Sequence, residues 1–443
     1  MSEKLVMIGN GMAPRRMLEL LFEAAPGQFD VTIFNAEPRV NYNRLMLSPV
    51  LSGEKTYEQI ITHDDAWYVQ HGVTLHKSAP VTLIDRVGKQ VVSSNGIVAG
   101  YDRLVVATGS SPLIPTIPGL DQVDFLTNET IFDLTRKPGH LVIIGGGPIG
   151  LELAQAHRRL GCEVTILEGR KALAKDDPEL AALVLKSLRA DGIAIREGAS
   201  VTAVERRGKT GVRVQVEIAG RTETIDGTHL LLAAGRAANV EGLALDKAGI
   251  AFDKTGIKVT AKLRTTNRRV YAIGDVISGG LQFTHVAGYH GGLVLRPLLF
   301  RLGAAENRSL IPWVTFTDPE LAQVGLLEAD ALARHKGVRV LRWPYADNDR
   351  AQAEHKTGGF IKLVTTSRGK LLGVSIVGAN AGEMINLYAL AISKGMGVRD
   401  LAGFVPPYPT MSEIGKRAAI TYFAGATRKP IVRRLVRLLR MFG

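Results

Sequence analysis

The sequence predicts an α/β fold, because a strand–turn–helix–strand pattern occurs twice, about 135 residues apart. Each copy begins with a short apolar run that leads directly into glycines, and a helical stretch and a second apolar strand follow. A strand, a crossover helix and a second strand form a parallel βαβ unit. Glycine is also in excess, at 48 of 443 residues, which is typical of many tight turns between strands and helices. We therefore expect two domains built on parallel sheets.

Length and composition are those of a folded chain of about three domains. Hydrophobic residues make up 46% and charged residues 22%, which excludes disordered, collagen-like and disulfide-scaffold proteins. No apolar run reaches the ~18 residues of a membrane span, and no secretory signal opens the chain. The single cysteine, Cys162, excludes an internal disulfide and a thiolate metal site, so we expect no metal centre and a small core residue at this position.

Positive charge is concentrated at the C-terminus. The formal net charge is +13, and six of the excess basic residues lie in 428–443, which contains no acidic residue. The remaining 427 residues carry only +7. This distribution argues against nucleic acid as a partner, because a nucleic-acid footprint covers a whole face of a domain.

The second glycine turn is typical of dinucleotide binding. A strand precedes Gly145, a helix follows Gly150, and Glu168 lies 18 residues further on. Gly145 permits the tight turn, Gly147 lets the backbone approach a pyrophosphate, and Gly150 lets helix and strand pack closely. Phosphates then lie at the helix N-terminus, where free N–H groups and the helix dipole favour anions. The alternative is a plain structural turn.

The first glycine turn is imperfect. Gly9 and Gly11 are in place, but Pro14 stands where the third glycine belongs. Proline is tolerated in a first helical turn, although it costs close packing and one phosphate donor. Glu37, at the end of the next strand, is a candidate ligand for ribose hydroxyls, with a solvated loop carboxylate as the alternative.

Two further strands favour a flavin. Residues 102–109 end in Ala-Thr-Gly, and residues 270–275 end in Asp275. An aspartate at the C-terminal end of a parallel strand points into the ligand crevice of a doubly wound sheet. The alternative for Asp275 is a helix N-cap.

At this point the chain resembles the FAD-dependent pyridine nucleotide oxidoreductases with two dinucleotide-binding domains, over nearly its whole length. Residues up to about 105, especially 8–13 and 42–54, are similar to the flavin-binding start of NAD(P)H nitrite reductase large subunits. The later part resembles the mercuric reductase and disulfide reductase branch, and the segments that carry this likeness are 107–110, 145–150, 234–239, 272–275 and 316–320.

The resemblance implies two Rossmann-like dinucleotide-binding domains, one for FAD and one for NAD, plus a C-terminal α/β dimerisation domain. It also implies a homodimer. The expected division is a discontinuous FAD domain at 1–112 and 240–308, an NAD(P) domain at 113–239, an interface domain at 309–426 and a basic tail at 427–443.

The resemblance also implies a set of cofactor-binding residues. For FAD they are Gly9, Gly11, Met12, Ala13, Glu37, Arg44, Thr108, Gly109, Asp275, Thr284, His285 and Val286, and Gly235 is a further cofactor-binding residue. For the nicotinamide coenzyme they are Gly145, Gly147, Gly150 and Glu168. NADH is favoured over NADPH, because Glu168 accepts hydrogen bonds from the ribose 2′-hydroxyl and repels a 2′-phosphate. The nearby Arg170 and Lys171 leave NADPH open, and a surface arginine is the alternative for Arg44.

The chain departs from the disulfide reductase branch where that branch does its chemistry. No cysteine precedes Cys162, so the Cys-x4-Cys relay beside the flavin is excluded. Tyr408 begins a Tyr-Pro-Thr-Met-Ser-Glu413 segment where the branch has a proton-shuttling histidine, and a tyrosine with a pKa of about 10 cannot replace imidazole at neutral pH. Glu152 matches a glutamate whose lysine partner is missing here. We consider Glu152, Tyr408 and Glu413 catalytic candidates, with interface packing as the alternative for Tyr408.

We therefore expect an FAD-dependent NAD(P)H oxidoreductase, in which hydride passes from NADH to the flavin and electrons then pass to an unidentified acceptor. A helix opening at 284–287 would stabilise charge on the reduced flavin. Quinones, a protein electron carrier and small oxidants all fit as acceptors. The alternative is a flavin-binding redox sensor or membrane-associated scaffold with little turnover.

The last residues predict a basic amphipathic helix after Pro430. Placed at 100° per residue, its apolar side chains fall within roughly 120° of one another, and its arginines lie opposite. Such a helix is typical of peripheral binding to an anionic membrane, and the alternative is packing on the interface domain. We expect a cytoplasmic protein, with association at the inner membrane face as a hypothesis.

Overall fold

The computed structural model describes residues 2–51, 53–209, 211–303, 305–425 and 430–442. The chain divides into two compact units. The first consists of Met1–Leu113, Glu129–Leu134 and Gly235–Arg308, and the second of Ile114–Asn128, Thr135–Ala234 and Ser309–Gly443.

The first unit is built on a five-stranded parallel sheet. Its strands, in spatial order, are Val270–Ala272, Arg103–Val106, Glu3–Ile8, Phe29–Phe34 and Val73–His76. The helix Met12–Ala24 connects Glu3–Ile8 to Phe29–Phe34, and the helix Thr284–Leu299 follows Val270–Ala272 in the chain. The strand residues from Leu5 to Ile8 are at most 3% exposed, as expected for a parallel sheet that is covered on both faces. The predicted βαβ unit is confirmed here.

Smaller elements complete the first unit. Antiparallel pairs form between Asn41–Tyr42 and Ile61–His63, between Ser110–Pro112 and Arg236–Ala238, and between Phe252–Asp253 and Gly256–Ile257. A three-stranded sheet contains Val81–Asp85, Gln90–Ser93 and Val98–Gly100. Two short helices are Leu47–Leu51 and Asp65–Gln70.

The second unit contains the second βαβ pattern. Its parallel strands, in spatial order, are Ala194–Glu197, Glu163–Glu168, His140–Ile144 and His229–Leu232, with helices Pro148–Arg159 and Pro178–Ala190. A three-stranded antiparallel sheet is formed by Ala199–Arg207, Gly211–Ile218 and Arg221–Gly227. Cys162 is fully buried directly before the strand Glu163–Glu168, and burial raises the pKa of its thiol, which confirms the prediction of a core residue.

An antiparallel sheet forms the C-terminal part of the second unit. Its strands, in spatial order, are Trp313–Thr315, Glu320–Gly325, Leu371–Gly378, Phe360–Thr365 and Arg339–Pro344. The helices are Glu328–Arg334, Asp349–Ala353, Ala381–Ser393, Val398–Gly403, Glu413–Thr421 and the tail helix Pro430–Leu439. In the part of the chain that the structure describes, no helix is both long and apolar enough to cross a bilayer.

In the second unit, a buried lysine of the antiparallel sheet is surrounded by three carboxylates from two helices. The Lys362 ammonium is 2% exposed and lies 2.8 Å from Asp177, 2.7 Å from Glu179 and 3.0 Å from Glu328. Three carboxylates around one buried cation compensate the cost of removing it from water. The cluster therefore ties the helix Pro178–Ala190 to the C-terminal sheet.

The two compact units differ in part from the three predicted domains. The units change at Leu113, Gly235 and Arg308, close to the predicted boundaries, but they combine the predicted NAD(P) and interface domains and assign Glu129–Leu134 to the first unit. The division into three domains stays a prediction. Its boundary at 426/427 lies outside the described residues.

Candidate dinucleotide-binding sites

The turn after the first strand has the shape that an anion site needs. Gly9 has a φ of +104°, and a Cβ there would lie 2.3 Å from the carbonyl oxygen of Ala107, so the position excludes any side chain. Gly11 caps the following helix, and a Cβ there would meet only Arg44 Nη1, at 3.7 Å. Met12 and Ala13 begin that helix, so their N–H groups point out of its end. The turn thus presents donors in an open cradle.

The second turn repeats this geometry. Gly145 has a φ of +120°, and a Cβ there would lie 2.2 Å from the carbonyl oxygen of Ala233. A Cβ on Gly147 would have no atom within 4 Å, whereas one on Gly150 would lie 2.1 Å from the carbonyl oxygen of Gly145. The first and third glycines are therefore needed for packing and the second leaves space. This arrangement fits a pyrophosphate approaching the backbone of Gly147.

The two turns differ in what supports them. Where Gly150 packs directly on its turn, the first copy has the buried Pro14. Asn41 supports this copy from behind, because its Nδ2 donates to the carbonyl oxygens of Asn10 at 2.6 Å and Gly11 at 3.1 Å. Asn41 is 3% exposed, and the sequence reasoning missed it because nothing local marks a single asparagine as a support.

A second helix N-terminus lies beside the first turn. The helix Thr284–Leu299 packs so closely on Met12–Ala24 that a Cβ on Gly291 would lie 2.7 Å from the carbonyl oxygen of Ala13. A Cβ on Gly274 would lie 3.6 Å from the Ala13 Cβ and 3.8 Å from the Ala287 Cβ. The turn that carries Gly274 therefore sits between the first turns of two helices.

Asp275 belongs to this turn and is not a helix N-cap. Its Oδ2 accepts a hydrogen bond from the Ser110 hydroxyl at 2.8 Å, and the N-cap of the next helix is Phe283. The first helical residues are Thr284, His285 and Val286, so the predicted helix start is correct, and the His285 ring stacks on Phe283. Their contact with a cofactor stays a prediction.

Glu37 and Arg44, predicted separately, form an ion pair with each other. Burial disfavours the charge on Arg44 and is the largest single effect, but the interactions with Glu37 and Tyr42 together outweigh it and raise the pKa of Arg44. The guanidinium also lies over the Tyr42 ring, 5.3 Å from its centroid. The pair holds a carboxylate near the first turn, where it retains acceptor capacity for sugar hydroxyls.

Three further predicted residues connect the strands that lead out of and back into the first unit. The Thr108 hydroxyl donates to the carbonyl oxygen of Asn239 at 2.8 Å, and the Asn239 amide donates back to Thr108 O at 2.9 Å. Gly109 has a φ of +71°, and the carbonyl of Gly235 accepts from Leu113 N at 3.0 Å. These contacts give the residues a structural role, and a role in cofactor binding stays a prediction.

Glu168 is fixed at the end of its strand by two backbone groups. Its Oε2 accepts from Gly146 N at 2.7 Å and its Oε1 from Arg170 N at 2.9 Å. A carboxylate offers about four acceptor positions, so two remain for ribose hydroxyls. The side chain therefore keeps acceptor capacity for ribose hydroxyls, and its contact with a coenzyme stays a prediction.

The catalytic candidates lie in different surroundings. Glu152 accepts from Phe316 N at 2.8 Å, and burial raises the pKa of its carboxyl more than this hydrogen bond lowers it. Tyr408 is 70% exposed and donates to Asp349 Oδ2 at 2.7 Å, a hydrogen bond that raises the pKa of the phenol. Glu413 begins its helix, 3.6 Å from Arg417.

In the part of the chain that the structure describes, no hydrogen bond or ion pair joins Glu152 to Tyr408 or Glu413. Their catalytic roles stay predictions. In the same described part of the chain, no group of three or more His, Cys, Asp or Glu side chains is placed to hold a metal ion.

The tail helix Pro430–Leu439 exposes its apolar stripe. Leu435 and Leu438 are each 52% exposed, and Phe442, which lies three residues beyond the end of the helix, is 82% exposed. The alternative of packing on the body is therefore not realised by these side chains. Arg428 and Lys429 of the predicted tail, and the side chains of Ile431 and Arg433, lie outside the described residues.

The chain matches two family models along most of its length. The pyridine nucleotide-disulphide oxidoreductase model matches residues 3–291, and the dimerisation domain model of the same family matches residues 311–419. The second match confirms the predicted C-terminal dimerisation domain, which supports a homodimer.

Several curated proteins are similar in sequence. Mercuric reductase from Bacillus cereus is 38% identical over 339 residues, which are 76% of this chain and 53% of that protein, so the chain spans about half the length of this relative. Mercuric reductase from Streptomyces lividans is 32% identical over 93% of this chain and 87% of that protein. Dihydrolipoyl dehydrogenase from Geobacillus stearothermophilus is 35% identical over 72% of this chain and 68% of that protein.

Solved structures share the fold. LpdA from Mycobacterium tuberculosis has a TM-score of 0.81 at 24% identity, over 95% of this chain and 99% of that chain. The flavoprotein disulfide reductase RclA from Escherichia coli, solved as a Cu(II) complex, gives the same TM-score, identity and coverage. The predicted fold class is thereby confirmed. The chain belongs to the pyridine nucleotide-disulphide oxidoreductase family, which uses FAD and NAD(P)H.

Proposed function

We propose that this chain is an FAD-dependent NAD(P)H oxidoreductase that delivers electrons to its acceptor without a redox-active disulfide. The observation that carries the proposal is the pair of glycine turns, each with an open second glycine at a helix N-terminus, in a chain whose single cysteine is buried. When bound, FAD supplies a two-electron carrier between a reduced nicotinamide and an acceptor.

In this proposal, the residues of the chain bind and orient the two dinucleotides. The N–H groups at Met12 and Ala13, and those at Thr284, lie at helix starts and favour negative charge. Gly147 leaves space for a pyrophosphate. Glu168 accepts hydrogen bonds from ribose hydroxyls, and we therefore propose NADH as the preferred coenzyme.

The single cysteine favours direct reduction of the acceptor by the flavin, and Tyr408 does not serve as a base in that step. The hydrogen bond to Asp349 raises the pKa of Tyr408, so the phenol keeps its proton at neutral pH and is a donor, not a base. Cys162 is buried and has no second thiol in the sequence with which to form a disulfide. The acceptor is then reduced without a dithiol relay.

The test is anaerobic addition of NADH to the purified, FAD-loaded protein. We expect rapid bleaching of the flavin absorption band and turnover once an oxidant is supplied. The variant Cys162→Ala is the matched control and should bleach at the same rate. No bleaching with NADH or NADPH would contradict the proposal, and bleaching without turnover on any acceptor would favour a redox sensor.

We propose in addition that the tail helix binds an anionic membrane surface. Its exposed apolar stripe, with Leu435 and Leu438 more than half exposed, accompanies arginines and no acidic residue, and Phe442 just beyond the helix is exposed as well. Each positive charge near such a surface contributes about 1 kcal/mol. A membrane location favours a quinone as the acceptor.

Co-sedimentation with phosphatidylglycerol vesicles tests the membrane proposal. The full chain should pellet with them at low salt, and a chain ending at Thr427 should not. Phosphatidylcholine vesicles are the control for charge. Equal pelleting of the two proteins, or binding that salt does not weaken, would contradict an electrostatic anchor. We also propose a homodimer. Light scattering of the purified protein without vesicles should therefore give twice the 47.8 kDa of one chain.

A further inference from the structure

A fully buried histidine lies beneath the Asp275 turn, outside every dinucleotide-binding motif. His290 is on the helix Thr284–Leu299 and is 0% exposed. The backbone N–H of Gly274 donates to its Nδ1 at 3.1 Å. On the other side of the ring, Nε2 lies 3.0 Å from Glu306 Oε1.

These two contacts fix the protonation of the ring. A nitrogen that accepts a hydrogen bond carries no proton, so Nδ1 is bare. Nε2 then carries the proton and donates it to the Glu306 carboxylate. His290 is therefore neutral while the Gly274 N–H points at it.

Glu306 is itself held in place. Its side chain is 3% exposed, and Arg308 Nε donates to its second oxygen at 2.8 Å. Burial would raise the pKa of Glu306, but the hydrogen bonds from His290 and Arg308 outweigh burial and lower the pKa. Arg308 Nη1 also donates to the carbonyl oxygen of Gly279 at 2.6 Å. The segment from Gly274 to Gly279 is thus fastened at both ends.

The position of this turn matters because of what lies around it. Gly274 has a φ of +74° and sits between the first turns of two helices, and the residue after it is Asp275. A buried backbone N–H without an acceptor is costly, so the turn would rotate to find one if the ring were removed. Such a rotation would displace the Asp275 carboxylate.

We propose that His290, oriented by Glu306, is a positioning residue that sets the Gly274–Asp275 turn for the flavin. The inference rests on the proposed binding of FAD in the first unit. It predicts that the bond to Gly274, and not the bulk of the ring, governs FAD affinity and the flavin environment.

Two substitutions separate the two sides of the ring. His290→Asn places an amide oxygen where Nδ1 lies and keeps an acceptor for Gly274. His290→Gln reaches the position of Nε2 and leaves the Gly274 N–H without that acceptor. Val294→Ala, a cavity variant of a 0% exposed residue on the same helix, controls for general loss of stability.

The readouts are the FAD dissociation constant, from flavin fluorescence, and the flavin reduction potential. Losing one buried hydrogen bond at the turn should weaken FAD about tenfold in His290→Gln and shift its potential. His290→Asn should stay within about threefold of wild type, and Val294→Ala should lower the melting temperature only. Equal values for Asn and Gln would overturn the inference.

The protonation of the His290 ring can also be measured in the wild-type protein, so the test does not depend on variants that fold poorly. In 15N NMR spectra of the FAD-loaded protein, Nδ1 of His290 should be unprotonated and Nε2 protonated, and a protonated Nδ1 would overturn the inference. Failure of wild-type protein to bind FAD would instead contradict the proposed function, so the two failures are distinguishable.

Discussion

Alanine substitutions at Gly147 and Gly150 should separate coenzyme binding from folding, although the two residues lie only three positions apart. Gly147 has a φ of −81°, which alanine adopts freely, and a Cβ there would have no atom within 4 Å. We expect Gly147→Ala to change the free energy of unfolding by less than about 1 kcal/mol. The methyl group would occupy the space through which the pyrophosphate approaches.

The binding cost can be estimated from the hydrogen bonds at stake. Loss of two charge-assisted hydrogen bonds from backbone N–H groups costs about 3 kcal/mol, which corresponds to about a 100-fold rise in the NADH dissociation constant. Gly150→Ala acts differently, because its Cβ would lie 2.1 Å from the carbonyl oxygen of Gly145. Reaching a tolerable 3.0 Å requires a separation of about 0.9 Å.

Such overpacking costs about 1–3 kcal/mol and should lower the melting temperature by about 2–10 °C. Calorimetric titration with NADH and thermal melting of the FAD-loaded proteins measure the two effects. Gly11→Ala is the matched control, because this position is open in the first turn and should affect FAD and not NADH. The reasoning is refuted if Gly147→Ala melts as low as Gly150→Ala or binds NADH like wild type.

Four further outcomes are expected. Glu168→Ser should raise the ratio of kcat/KM for NADPH to that for NADH at least about tenfold, because the serine no longer repels a 2′-phosphate, and an unchanged ratio would remove Glu168 from the ribose site. Iodoacetamide should leave turnover unchanged, since Cys162 is buried with a raised thiol pKa, whereas inactivation would point to a catalytic thiol. Lys362→Met should destabilise the fold by about 3–5 kcal/mol in urea unfolding, because Asp177 is left buried without its cation, and a loss below about 1 kcal/mol would argue against this reasoning. The pKa of Glu306 is lowered, so its ionised form stabilises the fold above about pH 4.5, and this contribution is lost as the pH falls through the lowered pKa. Glu306→Gln should therefore reduce the fall of the melting temperature on the acid side of a pH series. The same fall in variant and wild type would contradict a stabilising role of the ionised carboxylate.

The glycine turns could be predicted because their signals are local. A strand, its turn and its helix follow one another in sequence, so the strand Glu163–Glu168 and the helix start at Thr284 were placed correctly. Gly9 and Gly145 have backbone conformations, and together with Gly150 close contacts, that other residues do not tolerate, so a glycine at these positions is a direct signal of the turn.

The supports of those turns could not be predicted. Asn41 bonds a carbonyl 31 residues away, and His290 bonds an N–H 16 residues away. Lys362 lies on the strand Phe360–Thr365, where a lysine usually faces solvent, yet its carboxylate partners come from other elements of the second unit. Single polar residues of this kind have no periodicity, and only the folded chain brings their partners to them.

Two helices whose first turns lie close together carry partial charges of the same sign there. In the first unit, a Cβ on Gly274 would lie 3.6 Å from the Ala13 Cβ and 3.8 Å from the Ala287 Cβ, so the first turns of the helices Met12–Ala24 and Thr284–Leu299 lie on either side of the Gly274 turn and direct partial charges of the same sign towards it. An anion that binds there only in the folded state removes this repulsion and stabilises the unit, by about 2.7 kcal/mol at 100 times its Kd. If FAD is that anion, as proposed above, the fraction of folded chain depends on the supply of flavin nucleotide, and chains without it are more exposed to proteolysis.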